Sequence, residues 1–175
     1  LRARLIAIMK SQYETDRLQL YDLEWIRDSQ NNITGVDFIH NPMSGRFRVT
    51  ELPVREANGE VPTGVYLAST DSYDKDKVAS INGSFGSCGI FKTFWSGEAL
   101  GTTDKFVCTM THRPPTADEF YEDTAKMCVA YGWAMNLIEH SNLLIGNWYA
   151  HNGFSRLLKE RPEVAYAMIS NSQSQ

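Results

Sequence analysis

Two acidic residues occupy positions at which a protein can hold a metal ion. Asp71 directly follows the apolar run at residues 65–70, and Glu139 directly follows the apolar run at residues 134–138. Binding sites in open α/β sheets gather at the ends of strands, and carboxylate oxygens are suitable ligands for Mg²⁺ or Mn²⁺. If the two strands lie side by side, their carboxylates could share metal ions that act on phosphate. The alternative is that each acid only ends its strand in solvent.

Other polar residues close to these acids in the sequence could support such a site. Asp74 could add a metal ligand, directly or through water, or it could be a solvated loop charge. His140 and Asn142 flank Glu139 and could orient the ligands, although Asn142 is equally suited to capping a helix. Arg113 could contact a phosphate or belong to an ordinary solvated face. The same two alternatives hold for the lysines Lys75, Lys77, Lys92 and Lys105.

Two other kinds of site are excluded by residue spacing. The glycine-rich stretch at residues 83–89 lacks a lysine directly after its last glycine, and strand-like residues follow it instead of a helix. A phosphate-binding loop requires both features, so we expect no ATP site. Cys88, Cys108 and Cys128 are an odd number of cysteines and are expected to be reduced thiols. No second Cys/His pair complements Cys108 and His112, so we expect no zinc site.

Four short runs of apolar and β-branched residues predict the strands that would carry the acids: residues 65–70, 88–95, 105–112 and 134–138. A helical pattern lies between the third run and the fourth. This β-β-β-α-β order predicts an α/β fold with a mixed sheet, antiparallel at first and parallel after the crossover helix.

The two helices of this region have recognisable ends. Thr116 and Glu119 form a capping box for a helix that should extend to about residue 131, with Gly132 as its stop. Asn142 can cap a second helix, which Gly153 should end, and a further turn or two is expected at residues 155–160. The first helix should bury one face, made of Phe120, Met127, Cys128 and Tyr131.

The part of the chain before residue 65 has a different spacing of apolar and polar residues. Apolar spacing predicts a short helix at residues 1–11, and two β-like runs at residues 33–40 and 46–52 flank a plausible hairpin connection at residues 41–45. We therefore expect residues 1–40 to be a linker region that is partly β, and residues 41–175 to form the main domain. An additional N-terminal β-hairpin region should accompany the core sheet.

Composition limits the class of protein. The chain has 175 residues, of which 42% are hydrophobic and 22% charged, as in a globular domain. No apolar run reaches the roughly 18 residues of a membrane span, and no signal-peptide pattern is present. A net charge of -4 argues against binding nucleic acid through overall basicity but leaves a local basic track possible. The absence of an initial methionine and the polar last residues lead us to expect a segment of a longer protein.

Four short motifs follow one another from residue 65 onward: Val65-Tyr66-Leu67-Ala68-Ser69-Thr70-Asp71-Ser72-Tyr73-Asp74, Gly83-Ser84 before a strand, Arg113-Pro114 with Phe120-Tyr121-Glu122, and Ile138-Glu139-His140-Ser141-Asn142. In this order they resemble phage large terminase nuclease domains, and the resemblance covers about residues 41–175. It implies an RNase H-like fold. It also implies a metal-dependent endonuclease that cuts concatemeric viral DNA during bacteriophage genome packaging.

The resemblance also implies ligands and partners. Asp71 matches the first catalytic aspartate of the family and Glu139 its second acid, which together would bind two Mg²⁺ or Mn²⁺ ions. The third family acid lies later in the chain, and neither Glu160 nor Glu163 stands in a similar context, so this ligand is expected outside a C-terminally truncated domain. The implied partners are double-stranded DNA, the terminase ATPase domain of the same full-length chain, the portal protein and the small terminase subunit. The implied location is the host cell cytoplasm, without a membrane.

Two other functions stay open from the residues. Another RNase H-like nuclease, such as a Holliday junction resolvase, would require a stable dimer. A non-catalytic DNA-guiding or docking module of the same fold would not need two metal ions. The missing third acid favours the docking module, whereas the positions of Asp71 and Glu139 oppose it.

Overall fold

The computed structural model describes residues 18–72, 85–93, 105–139 and 143–158. Within them lie seven strands: β1 (Gln19–Arg27), β2 (Ile33–His40), β3 (Phe47–Val49), β4 (Tyr66–Asp71), β5 (Gly86–Lys92), β6 (Lys105–His112) and β7 (Met135–Ile138). The helices of this part of the chain are α1 (Ala117–Ala130), α2 (Leu143–His151) and a 3₁₀ turn at Ser155–Leu157. The helix predicted at residues 1–11 lies outside the described residues.

All seven strands join one sheet in the order β2-β1-β3-β6-β5-β4-β7. Neighbouring strands are antiparallel, except that β4 and β7 are parallel. The helix α1 connects β6 to β7, as a crossover between parallel strands requires. The predicted α/β class is therefore confirmed, and so is a mixed sheet that is antiparallel before the crossover helix and parallel after it.

The N-terminal hairpin forms between different strands from those predicted. Residues 33–40 pair with β1, not with the run that follows them, and the hairpin turn lies at residues 28–32. Asp28 closes this turn by accepting hydrogen bonds from the backbone nitrogens of Gln30 and Asn32 at 2.9 and 2.8 Å. The expected hairpin connection at residues 41–45 is therefore wrong. It leads instead from β2 to β3, which lie on opposite sides of β1.

A glycine makes this crossing over β1 possible. A Cβ atom on Gly45 would lie 2.6 Å from the backbone nitrogen of Tyr21 and 2.8 Å from the carbonyl carbon of Leu20. The Asn41 backbone nitrogen donates a 2.9 Å hydrogen bond to the Leu20 carbonyl oxygen, which holds the connection against the strand. Only glycine fits at such a close backbone approach.

The helix α1 begins and ends as its sequence predicts. Thr116 is the N-cap, and its hydroxyl accepts a 3.4 Å hydrogen bond from the Glu119 backbone nitrogen. The chain leaves the helix at Gly132, whose φ of +74° lies in the left-handed region that glycine tolerates. The residues predicted to line its inner face are all buried: Phe120, Met127, Cys128 and Tyr131.

The core lies between α1 and one face of the sheet, and an aromatic stack extends it to the C-terminal end of the described chain. The Phe154 ring stacks between Trp25 of β1 and Trp148 of α2, with centroid distances of 5.5 and 5.8 Å. Trp25 also donates a 2.8 Å hydrogen bond to Glu122 of α1. The predicted domain boundary after residue 40 falls between β2 and β3, and both strands belong to the one sheet.

The remaining end of the chain agrees in part with its prediction. The helix α2 ends at His151, two residues before the predicted stop at Gly153, and the further turn is the short 3₁₀ segment. The proposed cap of α2, Asn142, lies outside the described residues. None of the described helices is both long enough and apolar enough to cross a lipid bilayer.

Candidate functional site

The two candidate metal ligands lie at neighbouring positions where two parallel strands end. Asp71 is the last residue of β4, and Glu139 directly follows β7. The Glu139 backbone nitrogen donates a 3.1 Å hydrogen bond to the Thr70 carbonyl oxygen, and Thr70 pairs with Ile138. Continuing this register by one residue places Asp71 beside Glu139. The side-by-side arrangement on which a shared metal site depends is therefore present.

Both carboxylates are on the face of the sheet opposite α1. Alternate residues of β4 point into the core, and Ala68 and Thr70 are each 1% exposed, whereas Ser69 and Asp71 are exposed. Along β7 the same alternation leaves Glu139 exposed. Like charges at adjacent strand positions repel each other. A bound cation would offset that repulsion, and a solute can reach both carboxylates from this open face.

The donor set fits part of a divalent-metal centre. Carboxylate oxygens are the ligands that Mg²⁺ and Mn²⁺ prefer, so Asp71 and Glu139 could each supply one or more donor atoms. Within the described ranges, no group of three or more His, Cys, Asp or Glu side chains could hold a metal ion. Asp74, His140 and Asn142 lie outside those ranges, so their predicted roles stay predictions.

Arg113 leaves the sheet at the same end as the carboxylates. It directly follows β6, whose Thr111 pairs with Ser87, and Ser87 pairs in turn with Asp71. Arg113 is half-buried and lies two strands away from β4 in the sheet. This position is compatible with a contact to a ligand phosphate near the carboxylates, which stays a prediction.

Two of the lysines predicted as possible phosphate contacts are engaged elsewhere. Lys92 is fully buried and forms an ion pair with Glu51, which also binds Lys105 at 2.6 Å. Lys92 pairs with Tyr66, so this cluster lies at the end of β4 opposite to Asp71. The burial of Lys92 contradicts both an exposed phosphate contact and a solvated position for this lysine, whereas a phosphate contact by the partly exposed Lys105 stays a prediction. Lys75 and Lys77 lie outside the described residues.

A buried polar network supports the two strands from the core side. The Thr70 hydroxyl donates to the Asn136 carbonyl oxygen at 2.9 Å, and the Asn136 amide donates to the Tyr149 hydroxyl at 3.0 Å. The Thr124 hydroxyl lies 2.7 Å from the Tyr121 carbonyl and 2.8 Å from the Tyr149 hydroxyl. Because the single Thr124 proton is donated to that carbonyl, Tyr149 donates to Thr124.

This network links β4 and β7 to both helices directly beneath the carboxylates. Burial raises the pKa of Tyr149 well above its usual value, so its hydroxyl keeps the proton that it donates. Sequence reasoning missed the network. The available signal was Asn136, a polar residue in the otherwise apolar run at residues 134–138. A buried amide of this kind requires hydrogen-bond partners.

The cysteines have no catalytic part in this geometry. All three are free thiols and all are buried in the core. Burial raises the pKa of Cys88 to about 12, which outweighs the opposing hydrogen bond with Thr70. Because the thiolate is the reactive form, a thiol with such a pKa is inert at neutral pH.

Comparison of the chain with protein-family models, with curated proteins and with solved structures gives no significant match. The function is therefore inferred from the motifs and from the geometry of the open face.

Proposed function

We propose that the chain is the RNase H-like nuclease domain of a viral terminase large subunit, a metal-dependent endonuclease that cuts double-stranded DNA during genome packaging. The observation that carries this proposal is the pairing of Asp71 with Glu139. The two carboxylates lie on one open face, at the adjoining ends of two parallel strands. This is the arrangement that the resemblance to terminase nucleases implies for its first two acids.

The order of the strands also supports the proposal. The strands β6, β5, β4 and β7 are neighbours in that order, and only the last pair is parallel. An RNase H-like core would have three antiparallel strands, a crossover helix and a fourth strand parallel to the first. The strands β1, β2 and β3 would then be additions that extend the far side of this core.

The residues of the chain would hold the metal and leave room for DNA. Asp71 and Glu139 would bind Mg²⁺ or Mn²⁺ through their carboxylate oxygens, and the third ligand would come from a residue outside the described part. Such ions activate water and stabilise the negative charge on a departing phosphate oxygen. The exposed position of both carboxylates on a sheet face gives a duplex access that a closed cleft would deny.

Digestion of supercoiled plasmid tests the proposal. The wild-type chain, Asp71→Asn and Glu139→Gln would each be incubated with Mn²⁺, Mg²⁺ or a chelator, and nicked and linear products would be quantified. We expect nicking by the wild type with either metal and none with chelator. Each substitution removes a negatively charged ligand and should lower the rate by at least about 100-fold, the scale of losing one major electrostatic contribution to catalysis.

Glu24→Gln is the matched control, because Glu24 is an exposed carboxylate on β1. It should nick plasmid at the wild-type rate. Calorimetric titration with Mn²⁺ separates metal binding from catalysis. The nuclease proposal is wrong if the wild type neither nicks DNA nor binds Mn²⁺, or if Asp71→Asn and Glu139→Gln nick as fast as Glu24→Gln.

The second candidate is a non-catalytic module of the same fold that guides or docks DNA. One observation favours it, since no third His, Cys, Asp or Glu side chain completes a metal site with Asp71 and Glu139 among the described residues. Under this alternative the chain binds duplex DNA equally well with metal or chelator and never cuts it. The plasmid assay combined with a binding measurement distinguishes the two functions.

A further inference from the structure

A basic groove lies beside the strands that extend the sheet. Its volume is about 700 Å³, and it is bordered by the start of β1, the connection from β2 to β3, and the end of β6. The charged or titratable side chains that line it are His40, Arg46, Arg48 and His112. Among the described residues none of the lining side chains is acidic, although Asp22 of β1 accepts hydrogen bonds from Asn41 and from the Arg46 backbone nitrogen in the bordering connection. Such a lining is unexpected in a chain of net charge -4, and it indicates a site for an anion.

Arg48 supplies the positive charge of this groove that is least engaged by acidic side chains of the described residues. Arg46 is partly neutralised, because its guanidinium donates a 2.8 Å hydrogen bond to the buried carboxylate of Asp123, which also faces Lys126 and His112. Burial lowers the pKa of His112, so this side chain is largely neutral at pH 7. Arg48 is half-buried, and its guanidinium has no hydrogen bond or ion pair within the described part of the chain. A guanidinium in this state is suited to bidentate binding of phosphate.

Arg48 lies on the same face of the sheet as the candidate metal ligands. It pairs with Thr109 of β6, which pairs with Gly89 of β5, which pairs with Ser69 of β4. Ser69 and Asp71 share a face because they are two residues apart. Three strand spacings across the sheet and two residues along β4 give a backbone separation of about 16 Å between Arg48 and Asp71.

A continuous uncharged path joins the groove to the carboxylates. Thr111 lines the groove and pairs with Ser87, which pairs with Asp71. Small hydroxyl side chains of this kind hydrogen-bond to phosphate oxygens without repelling them. A separation of about 16 Å corresponds to roughly five base pairs along a DNA duplex, so one duplex segment can contact both ends of the path.

We propose that this groove binds the phosphodiester backbone of duplex DNA and that Arg48 contacts a phosphate about five base pairs from the one held at Asp71 and Glu139. The inference rests on the proposed nuclease function for the identity of its ligand. The contact is with the backbone, so it would add affinity at any base sequence.

Fluorescence anisotropy with a labelled duplex of about 20 base pairs tests the contact, in chelator and across a salt series. We expect Arg48→Gln to weaken binding about ten-fold and to reduce the slope of log K against log salt by about one unit. Arg48→Lys should keep the slope because it keeps the charge. Arg27→Gln is the matched control, since Arg27 is an exposed arginine outside the groove, and it should bind DNA as the wild type does.

A second measurement uses only the folded wild type. Phenylglyoxal modifies accessible arginines, and mass spectrometry should show that the duplex protects Arg48 and leaves Arg27 reactive. Wild-type affinity and slope in a folded Arg48→Gln variant overturn the inference, as does modification of Arg48 in saturating DNA. Equal protection by inorganic phosphate alone would also overturn it, because the groove would then be a small-anion site.

The inference and the nuclease proposal can fail separately. Binding that depends on Arg48, without any metal-dependent cutting, overturns the nuclease and leaves the groove as a DNA contact. Metal-dependent cutting with unchanged binding by Arg48→Gln supports the nuclease and overturns the groove. Absence of any duplex binding by the wild type overturns the inference.

Discussion

The ion pair between the buried Lys92 and Glu51 tests how burial sets the contribution of a charge to the free energy of unfolding. The Lys92 side chain is 0% exposed and pairs with Glu51, whose side chain is 26% exposed. Glu51 also binds Lys105, which is 26% exposed and can turn towards water. We expect Glu51→Gln to be far more damaging than Lys92→Met, because the first substitution removes the carboxylate that neutralises a buried charge. The second removes that charge and leaves Glu51 paired with Lys105.

The expected magnitudes follow from burial. Removing one partner of a fully buried ion pair costs about 3–5 kcal/mol of unfolding free energy. Because Glu51 is partly exposed, we expect the lower value, about 3 kcal/mol, for Glu51→Gln. For a chain of this size that lowers Tm by roughly 6–12 °C. Lys92→Met replaces the buried charged side chain with an apolar one of similar length, and it should cost less than about 1 kcal/mol because Glu51 keeps Lys105 as its partner.

Urea unfolding followed by tryptophan fluorescence measures these differences. The double variant should be more stable than Glu51→Gln alone, because it removes the buried positive charge that has lost this carboxylate. Equal destabilisation by Lys92→Met and Glu51→Gln, or no rescue in the double variant, would refute the reasoning. DNA affinity should be unchanged in folded Lys92→Met, since Lys92 lies at the far end of β4 from Asp71.

The same carboxylate predicts a dependence of stability on pH. Burial alone would raise the pKa of Glu51, but hydrogen bonds from Lys105 and Lys92 outweigh burial and hold this pKa below its usual value. The stabilisation is therefore complete above the unfolded-state pKa of about 4.5 and is lost as pH falls through the folded-state pKa. The difference in stability between wild type and Glu51→Gln should shrink correspondingly in acid.

Four further substitutions test other parts of the fold. Gly45→Ala should cost about 3 kcal/mol or more, because its Cβ would press on backbone atoms, whereas Gly146→Ala in α2 should gain up to about 1 kcal/mol; thermal melts compare them. Tyr149→Phe leaves the Asn136 amide without its acceptor and should cost about 1–3 kcal/mol in urea unfolding. Burial lowers the pKa of His112, so stability should fall from pH 7 to pH 5, and His112→Gln should flatten that slope.

The sequence predicts best those strands and helices whose ends are determined by their own residues. The strand at residues 105–112 matches β6 at both ends, and the Thr116 cap fixes the start of α1. These elements have apolar alternation or capping chemistry that needs no knowledge of the rest of the chain. The β-β-β-α-β order then limits the topology, because a short connection favours an antiparallel pair and a crossover helix a parallel one.

The sequence fails where pairing depends on distant residues. The run at residues 33–40 has two candidate partners, and its alternation does not distinguish the strand before it from the strand after it. The pairing of this run is decided where the connection after β2 crosses Leu20 and Tyr21 at Gly45, and only the folded backbone shows this crossing. The position of Lys92 could not be predicted from the sequence for a similar reason. A lysine within a predicted strand gives no sign of its burial until Glu51, 41 residues earlier, is found beside it.

The site itself depends on one register that the polar network enforces. A slip of β7 by one residue against β4 would turn the Glu139 carboxylate towards the core and the Asn136 amide towards solvent. The hydrogen bonds from Thr70 to Asn136 and from Asn136 to Tyr149 exist only in the observed register. Since β7 has four residues, backbone pairing alone gives little resistance to a slip. The buried amide therefore fixes the position of the carboxylate three residues later, which an apolar residue at 136 could not do.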